Sequence, residues 1–309
     1  MAPPIEPAYS PRMWCDDYDP GHFLCEHLAA QGDQTPAVER VFAALASLST
    51  EELRRRDEAA RAELVNLGIN FTVYTERTVV DRILPFDVIP RLVSATDWER
   101  IEAGVLQRVQ AINMFLKDIY GPQRILNDGV VPKDLILGHP AFRAEIVQSA
   151  PSDRPHVTIA GVDLVRLHNG EWRVLEDNCR VPSGVSYVVE NRALMQRVLP
   201  ELSEDLPLRP VGDYGARLRR SLTELAPDGV DDPQIAVLTP GEFNSAYFEH
   251  VFLAREIGAS LVEGRDLVVE NDRVFMRTVA GLRPVHVIYR RIDDDFLDPE
   301  VFRSDSVLG

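Results

Sequence analysis

Lysine is nearly missing from this chain: Lys117 and Lys133 are the only two, and the rest of its basic set is arginine. Any anion site built on cations must therefore rely mainly on guanidinium groups, which favour planar, bidentate partners. Cysteine is almost as sparse. Cys15, Cys25 and Cys179 are odd in number and scattered, which excludes a disulfide-stapled scaffold and points to reduced thiols in a cytoplasmic protein. There is no long uncharged apolar run, and the start, Met1 to Ser10, is proline-rich without an apolar centre. Neither a spanning helix nor a signal peptide is expected. Positive charge is also in deficit: the formal net charge of -16 argues against nucleic acid or an anionic membrane as partner, since both are bound by clustered cations.

What is present divides into three stretches, expected at 1–67, 68–205 and 206–309. Five prolines among polar residues before residue 35 predict an extended arm, in which His22, Cys25 and His27 lack a fourth metal ligand. Thr35-Pro36 predicts a helix start with a stripe of Val38, Val41, Phe42 and Leu45, and Ser49 with Glu52 a second start running to Gly68. Phe71 to Tyr74 reads as a strand. Pro85 and Pro90 make the following segment an ordered loop or edge strand in which Arg82, Asp87 and Arg91 suit either an anion or structural ion pairs. A long helix follows, capped by Thr96 with Glu99. Its stripe, Trp98, Ile101, Val105, Val109, Ile112, Leu116 and Ile119, is expected in the core and ends at Gly121-Pro122.

The most informative stretch runs from Gly161 to Arg192. Two strand-like runs flank Asn169-Gly170, a hairpin signal when both residues take positive φ. A two-residue turn there places Leu167 opposite Trp172, Val165 opposite Val174 and Asp163 opposite Glu176, with Asn178 on the same face as the acids and Asp177 on the other. Like charges opposite each other repel, more so beside that apolar surface. Two carboxylates and an amide oxygen suit Mg²⁺ or Mn²⁺, and they equally suit a solvated acidic hairpin end. Beyond the hairpin, Pro182-Ser183-Gly184 leads into a helix over 187–199 carrying Glu190, Asn191 and Arg192. Such a turn can offer N–H groups to a phosphate or carboxylate.

The proline- and acid-rich segment 202–212 marks a boundary. After it come a helix over 213–226, a strand at Ile235 to Leu238, the turn Thr239-Pro240-Gly241, a helix from Asn244 to Ile257, and short strands at 260–262, 267–269, 273–276 and 285–289. This is the pattern of a small open α/β sheet, whose ligands sit at the carboxyl ends of its strands. Thr239, Gly241, Arg290 and Arg291 lie there and suit a substrate carboxylate. The arginines suit equally well an ion pair with Asp293-Asp294-Asp295.

Asp163, then Glu176 to Tyr187 with Glu190-Asn191-Arg192, Thr239 to His250, and Tyr289 to Pro299 together resemble the circularly permuted ATP-grasp family, over a span from about Ile69 to the end. The resemblance implies a mixed α+β / α/β fold, part ATP-grasp lobe and part pre-ATP-grasp-like α/β domain. It also implies an ATP-dependent carboxylate–amine ligase like glutathionylspermidine synthetase, acting through an acyl phosphate on small-molecule or peptide substrates. ATP and Mg²⁺ or Mn²⁺ are its expected cofactors, with Asp163, Glu176 and Asn178 as metal ligands and Arg180 at the transferred phosphoryl group. Ser183, Gly184, Asn191, Arg192, Thr239, Gly241, Asn244, Arg290 and Arg291 are the expected nucleotide or substrate contacts. Two positions depart from the pattern. Gly161 stands where such synthetases carry arginine, and the segment bearing the nucleotide-gripping lysines would follow residue 309, so a shortened chain is expected. A non-catalytic binding module retaining the architecture is the alternative.

Overall fold

The computed structural model describes residues 19, 21–22, 25–26, 36–74, 79–147 and 154–309. Most of the arm expected over 1–34, including His27, and the Thr35 cap lie outside them, as does the Arg82 side chain. Helix α1 (Pro36–Ala46) begins on a proline whose missing N–H is no loss in a first turn. It buries Val41 and Leu45 completely. Helix α2 (Thr50–Asn66) is capped as expected, the Ser49 hydroxyl accepting from the Glu52 N–H at 3.1 Å, and it stops before Gly68 at φ 65°. Strands β1 (Asn70–Tyr74) and β2 (Val79–Ile83) pair antiparallel.

Helix α3 (Ala95–Ile119) starts earlier than Thr96 implied, because Ser94 is the cap and accepts from the Asp97 N–H at 3.0 Å. Its stripe is only partly core. Ile101 and Ile119 are buried, Trp98 is 43% exposed, and Val105, Val109, Ile112 and Leu116 are half-buried. Two short helices, α4 (Arg124–Asn127) and α5 (Lys133–Leu137), lead towards the hairpin of β3 (Gly161–Arg166) and β4 (Trp172–Asn178).

That hairpin reaches the expected acid pairing by an unexpected route. The loop has three residues: Leu167 N–H donates to Glu171 O at 2.9 Å and Gly170 N–H to Leu167 O at 2.8 Å. Of Asn169 and Gly170 only the glycine has positive φ, 82°. A turn followed by a left-handed glycine is the usual three-residue solution, and it displaces the register by one residue, so Trp172 faces Arg166 and Val174 faces Leu164. A bulge at Leu175, itself 70% exposed, then returns the register. Asp163 faces Glu176 and Gly161 faces Asn178. Trp172 and Val174 are thereby turned to the other face, Val165 now lies opposite Arg173, and Asp163, Glu176 and Asn178 are exposed.

Helices α6 (Val185–Val198), α7 (Pro200–Asp205) and α8 (Tyr214–Thr223) follow. Then come β5 (Ile235–Leu238), α9 (Tyr247–Ile257), β6 (Ser260–Val262), β7 (Leu267–Glu270), β8 (Arg273–Thr278), β9 (Gly281–Pro284) and β10 (Val287–Arg290). Helix α9 begins three residues later than expected, since Asn244 Oδ1 takes the Ala246 N–H at 2.9 Å in a local turn. The strands form two sheets rather than one. A parallel sheet has the order β10-β5-β6, and β7-β8-β9 is a separate antiparallel meander. Its first turn, Asn271-Asp272 with φ 52° and 60°, is a hairpin signal of the type both residues tolerate. The expected mixed α/β organisation, with an antiparallel hairpin, helices and a small parallel sheet, is what the chain adopts. No helix among the described residues is long and apolar enough to cross a membrane.

One core joins Leu45, Leu53 and Leu64 of the first two helices to Leu194, Leu199 and Leu202. Arg56 fastens the same contact, reaching Glu201 through two hydrogen bonds of 2.8 and 2.9 Å and Val198 O at 2.9 Å. A second core packs β5 and β10 against α8 and α9. Leu64 is fully buried in the first core whereas its neighbour Val65 is 55% exposed. Leu64→Ala should lower the free energy of unfolding by about 2–5 kcal/mol and Val65→Ala by less than about 1 kcal/mol, measured by urea denaturation.

Candidate functional site

The hairpin end, the start of α6 and the carboxyl ends of β5 and β10 converge through one buried carboxylate. Glu249 on α9 is fully buried. Its Oε2 accepts from the Gly184 N–H at 2.7 Å, the Ser186 N–H at 3.1 Å and the Ser186 hydroxyl at 2.9 Å, while Oε1 accepts from Arg291 at 3.0 Å. Arg291, 3% exposed, also donates to Pro182 O at 2.7 Å and Tyr289 Oη at 3.1 Å. Two buried charges are tolerable only when most of their lone pairs and protons are satisfied in this way, and here Arg291 Nε alone is left without a partner among the described residues. The turn at Pro182-Ser183-Gly184 does hold an anion at a helix start. That anion is the protein's own Glu249, and Gly184, at φ 113°, supplies one of the donors.

Arg291 is thus committed inward, and its carboxylate partner is Glu249 rather than the aspartate run. Arg290 follows the other expectation: it pairs with Asp294 and donates to Ile292 O at 2.7 Å. Asp294 is a hub, with Arg180 Nη2 at 3.3 Å and Arg143 Nε at 3.8 Å, while Arg143 also pairs with Asp295. Three arginines from separate segments therefore meet beside the exit of β4. Arg192 donates to Arg209 O at 2.8 Å, and Asn191 Oδ1 is buried without a partner. Neither lines the cavity described next.

At the carboxyl ends of β5 and β10 lies a cavity of about 280 Å³ whose lining includes Val181, Ser183, Asn244, His250, Arg291 and Asp293. Thr239 stands behind it, its hydroxyl 2.8 Å from His250 Nδ1 and accepting from the Gly241 N–H at 3.2 Å. Burial, reinforced by the nearby Arg291 charge, pushes the His250 pKa down to about 3. The imidazole is neutral at physiological pH. Three expected contacts, Ser183, Asn244 and Arg291, are brought to one cavity, while Thr239 and Gly241 support its wall.

The acid end of the hairpin is a separate, exposed surface. Asn178 Nδ2 donates to Glu176 Oε1 at 3.1 Å. Gly161 packs closely: a Cβ there would lie 3.0 Å from Pro182 Cβ and 3.6 Å from Asn178 Cβ. A longer side chain at 161 would press on Asn178. Asp177, on the opposite face, is held by Arg108 of α3 at 2.7 and 2.9 Å, which lowers its pKa. Among the described residues, no cation pairs with Asp163 or Glu176, and no three His, Cys, Asp or Glu side chains form a metal cluster.

Sequence reasoning assigned no role to Glu249, His250 or Arg143, and named Asp294 only within the aspartate run that could pair with Arg290 or Arg291. For the first two there was a signal: a polar pair set in an otherwise apolar helix face of Phe248, Phe252, Leu253 and Ile257 marks buried, hydrogen-bonded groups. Arg143 sits in irregular chain and carried none.

Residues 90–309 match the family model described as a circularly permuted ATPgrasp. This chain belongs to the circularly permuted ATP-grasp family. An uncharacterized Synechocystis protein is 47% identical to it over 297 residues, 96% of this chain and 62% of the relative. A Mycobacterium tuberculosis protein, also uncharacterized, is 47% identical over 284 residues, 92% and 51% of the two chains. A Frankia alni protein provisionally named a glutamate–cysteine ligase is 40% identical over 299 residues, 96% of this chain and 33% of that one. The chain thus spans about half to three fifths of the length of the first two relatives. The motifs quoted for the resemblance from Asp163 onward all fall within the matched region.

Two consequences of the ATP-grasp chain's buried network can be measured. Glu249→Ala, which leaves Arg291 buried and unpaired, should cost about 3–5 kcal/mol of stability. Arg290→Gln, at a partly exposed pair, should cost about 1 kcal/mol or less. Because the folded His250 pKa lies below that of the unfolded chain, the unfolded state binds the extra proton. Stability should therefore fall as pH drops below about 6.5, with a slope approaching 1.4 kcal/mol per pH unit from this group. His250→Asn should flatten that slope between pH 6.5 and 5, above the range of the carboxylates, as followed by denaturant midpoints.

Proposed function

We propose that this chain carries the metal-holding hairpin and the substrate domain of an ATP-dependent carboxylate–amine ligase. The observation that carries the reading is an acid pair with no cationic partner among the described residues. Asp163 and Glu176 face each other across β3 and β4, Asn178 is bonded to Glu176, and their neighbour Asp177 has taken the nearby arginine. Two carboxylates and an amide oxygen on one exposed face are hard donors that suit Mg²⁺ or Mn²⁺. They would hold the ion while leaving its remaining positions to water and phosphate. Once bound, the ion would neutralise charge on the nucleotide phosphates.

In this reading the γ-phosphoryl group of ATP passes to a substrate carboxylate oxygen and ADP leaves. The amine nitrogen then attacks the acyl carbon, phosphate departs and the nitrogen loses a proton. Arg180, at the exit of β4, exposed and paired only with Asp294 at 3.3 Å, is the candidate to meet the transferred group. Ser183 and Asn244 offer polar contacts at the cavity. Gly184, Thr239, Gly241 and Arg291 have their polar groups engaged within the protein and shape the wall; Arg290 restrains Asp294. Asn191 and Arg192 border the same helix start. The ligase name of the Frankia relative supports amide-bond chemistry.

Glu176→Gln and Asp163→Asn should each weaken Mn²⁺ binding by about tenfold or more, measured by electron paramagnetic resonance of free Mn²⁺. Asp177→Asn, on the other face, should leave it unchanged. Unaltered Mn²⁺ affinity in Glu176→Gln would remove the metal assignment. In a full-length family member, ADP release should require Mg²⁺ together with a carboxylate substrate, and release indifferent to any carboxylate would sink the ligase reading.

A further inference from the structure

The carboxyl ends of the parallel strands were expected to capture a substrate carboxylate through Arg290 and Arg291. The charges at the cavity are arranged for the opposite sign. Of the described residues lining it, only Arg291 and Asp293 are charged. Arg291 is neutralised by the buried Glu249 at 3.0 Å, and Arg290 is taken by Asp294. His250 contributes no charge. Asp293 is exposed; its side chain caps nothing and, among the described residues, pairs with no cation. Among the described residues the lining itself supplies an incoming carboxylate with no unpaired cation to offset this aspartate, whereas an ammonium would find its counter-ion in place.

We propose that this cavity binds a small aliphatic primary amine in its ammonium form, with Asp293 as counter-ion. Ser183 and Asn244 are the hydrogen-bond partners of that ammonium group, and the walls of Val181, Pro240 and Phe296 take the methylene stem. The volume of about 280 Å³ sits at the small end of ligand pockets and suits a short chain better than a nucleotide. Identifying this amine as the acceptor of the ligation rests on the ligase reading. Its binding does not.

The test uses two probes of one shape and opposite charge, n-butylamine and butyrate, titrated at pH 7 into the 309-residue chain and followed by ligand-observed NMR. Butylammonium should bind and butyrate should not. Asp293→Asn should weaken butylammonium by about tenfold, the loss of one charge-assisted contact, and Asp293→Lys should transfer the preference to butyrate. Asp293 is exposed, so both variants should keep the native circular dichroism spectrum and denaturation midpoint. Glu176→Gln should leave amine binding intact, which separates failure of the metal-based ligase reading from failure of this one. The proposal is overturned if neither probe binds, if butyrate binds the unmodified chain as well as butylammonium, or if Asp293→Asn leaves the amine affinity unchanged.

Discussion

The arrangement of the site depends on one buried ion pair, Glu249 with Arg291, in which, among the described residues, only Arg291 Nε lacks a partner. Glu249 and Arg291 are both removed from water, where an uncompensated charge would cost several kcal/mol. They avoid that cost by bonding to three other segments: the N-terminus of α6, the Pro182 carbonyl and the Tyr289 hydroxyl. Every one of those bonds must be kept for the pair to persist. The pair therefore fixes where the hairpin exit lies relative to the strand ends, and with it the cavity between Ser183, Asn244 and Asp293. Gly161 extends the constraint into the hairpin, since a Cβ there would come within 3.0 Å of Pro182 Cβ and push the two segments apart.

A second constraint is geometric. The acid pair Asp163–Glu176 survives because two irregularities cancel. The three-residue loop ending in left-handed Gly170 shifts the pairing by one residue, and the bulge at Leu175 shifts it back. Asn169-Gly170 advertised a turn, and the motif residues advertised the acids. Nothing in the local pattern advertised a bulge, because an exposed leucine in a strand reads like any other alternating residue. The cost of missing it was the wrong set of neighbours: Trp172 stacks on Arg166 and Arg91, 5.5 and 5.3 Å from their guanidinium carbons, instead of lining the acids.

The arginines show the same division. In an acidic chain with two lysines, each guanidinium has many carboxylates to choose from, and spacing cannot say which it will find. Arg290 and Arg291 are adjacent in sequence, yet strand alternation sends one to Asp294 and the other into the core with Glu249. That divergence commits both guanidinium groups to carboxylates of the protein itself, and among the described residues Asp293 has no cationic partner.

What the sequence determined alone is what depends on short range. The helix cap at Ser49, the strand–turn–helix unit around Thr239-Pro240-Gly241, the hairpin around Asn169-Gly170 and family membership all follow from residues close together or from motifs in order. Ser94 in place of Thr96 is a shift of two residues where two hydroxyls compete for one cap, and α9 starts late because Asn244 closes a local turn before it. Only the tertiary structure decided which charges neutralise each other, which face of the hairpin is wet, and that the strands divide into two sheets. Much of this is set by desolvation and by partners far apart in sequence, such as Glu249 with Gly184 or Arg180 with Asp294. No local pattern encodes a partner at that distance.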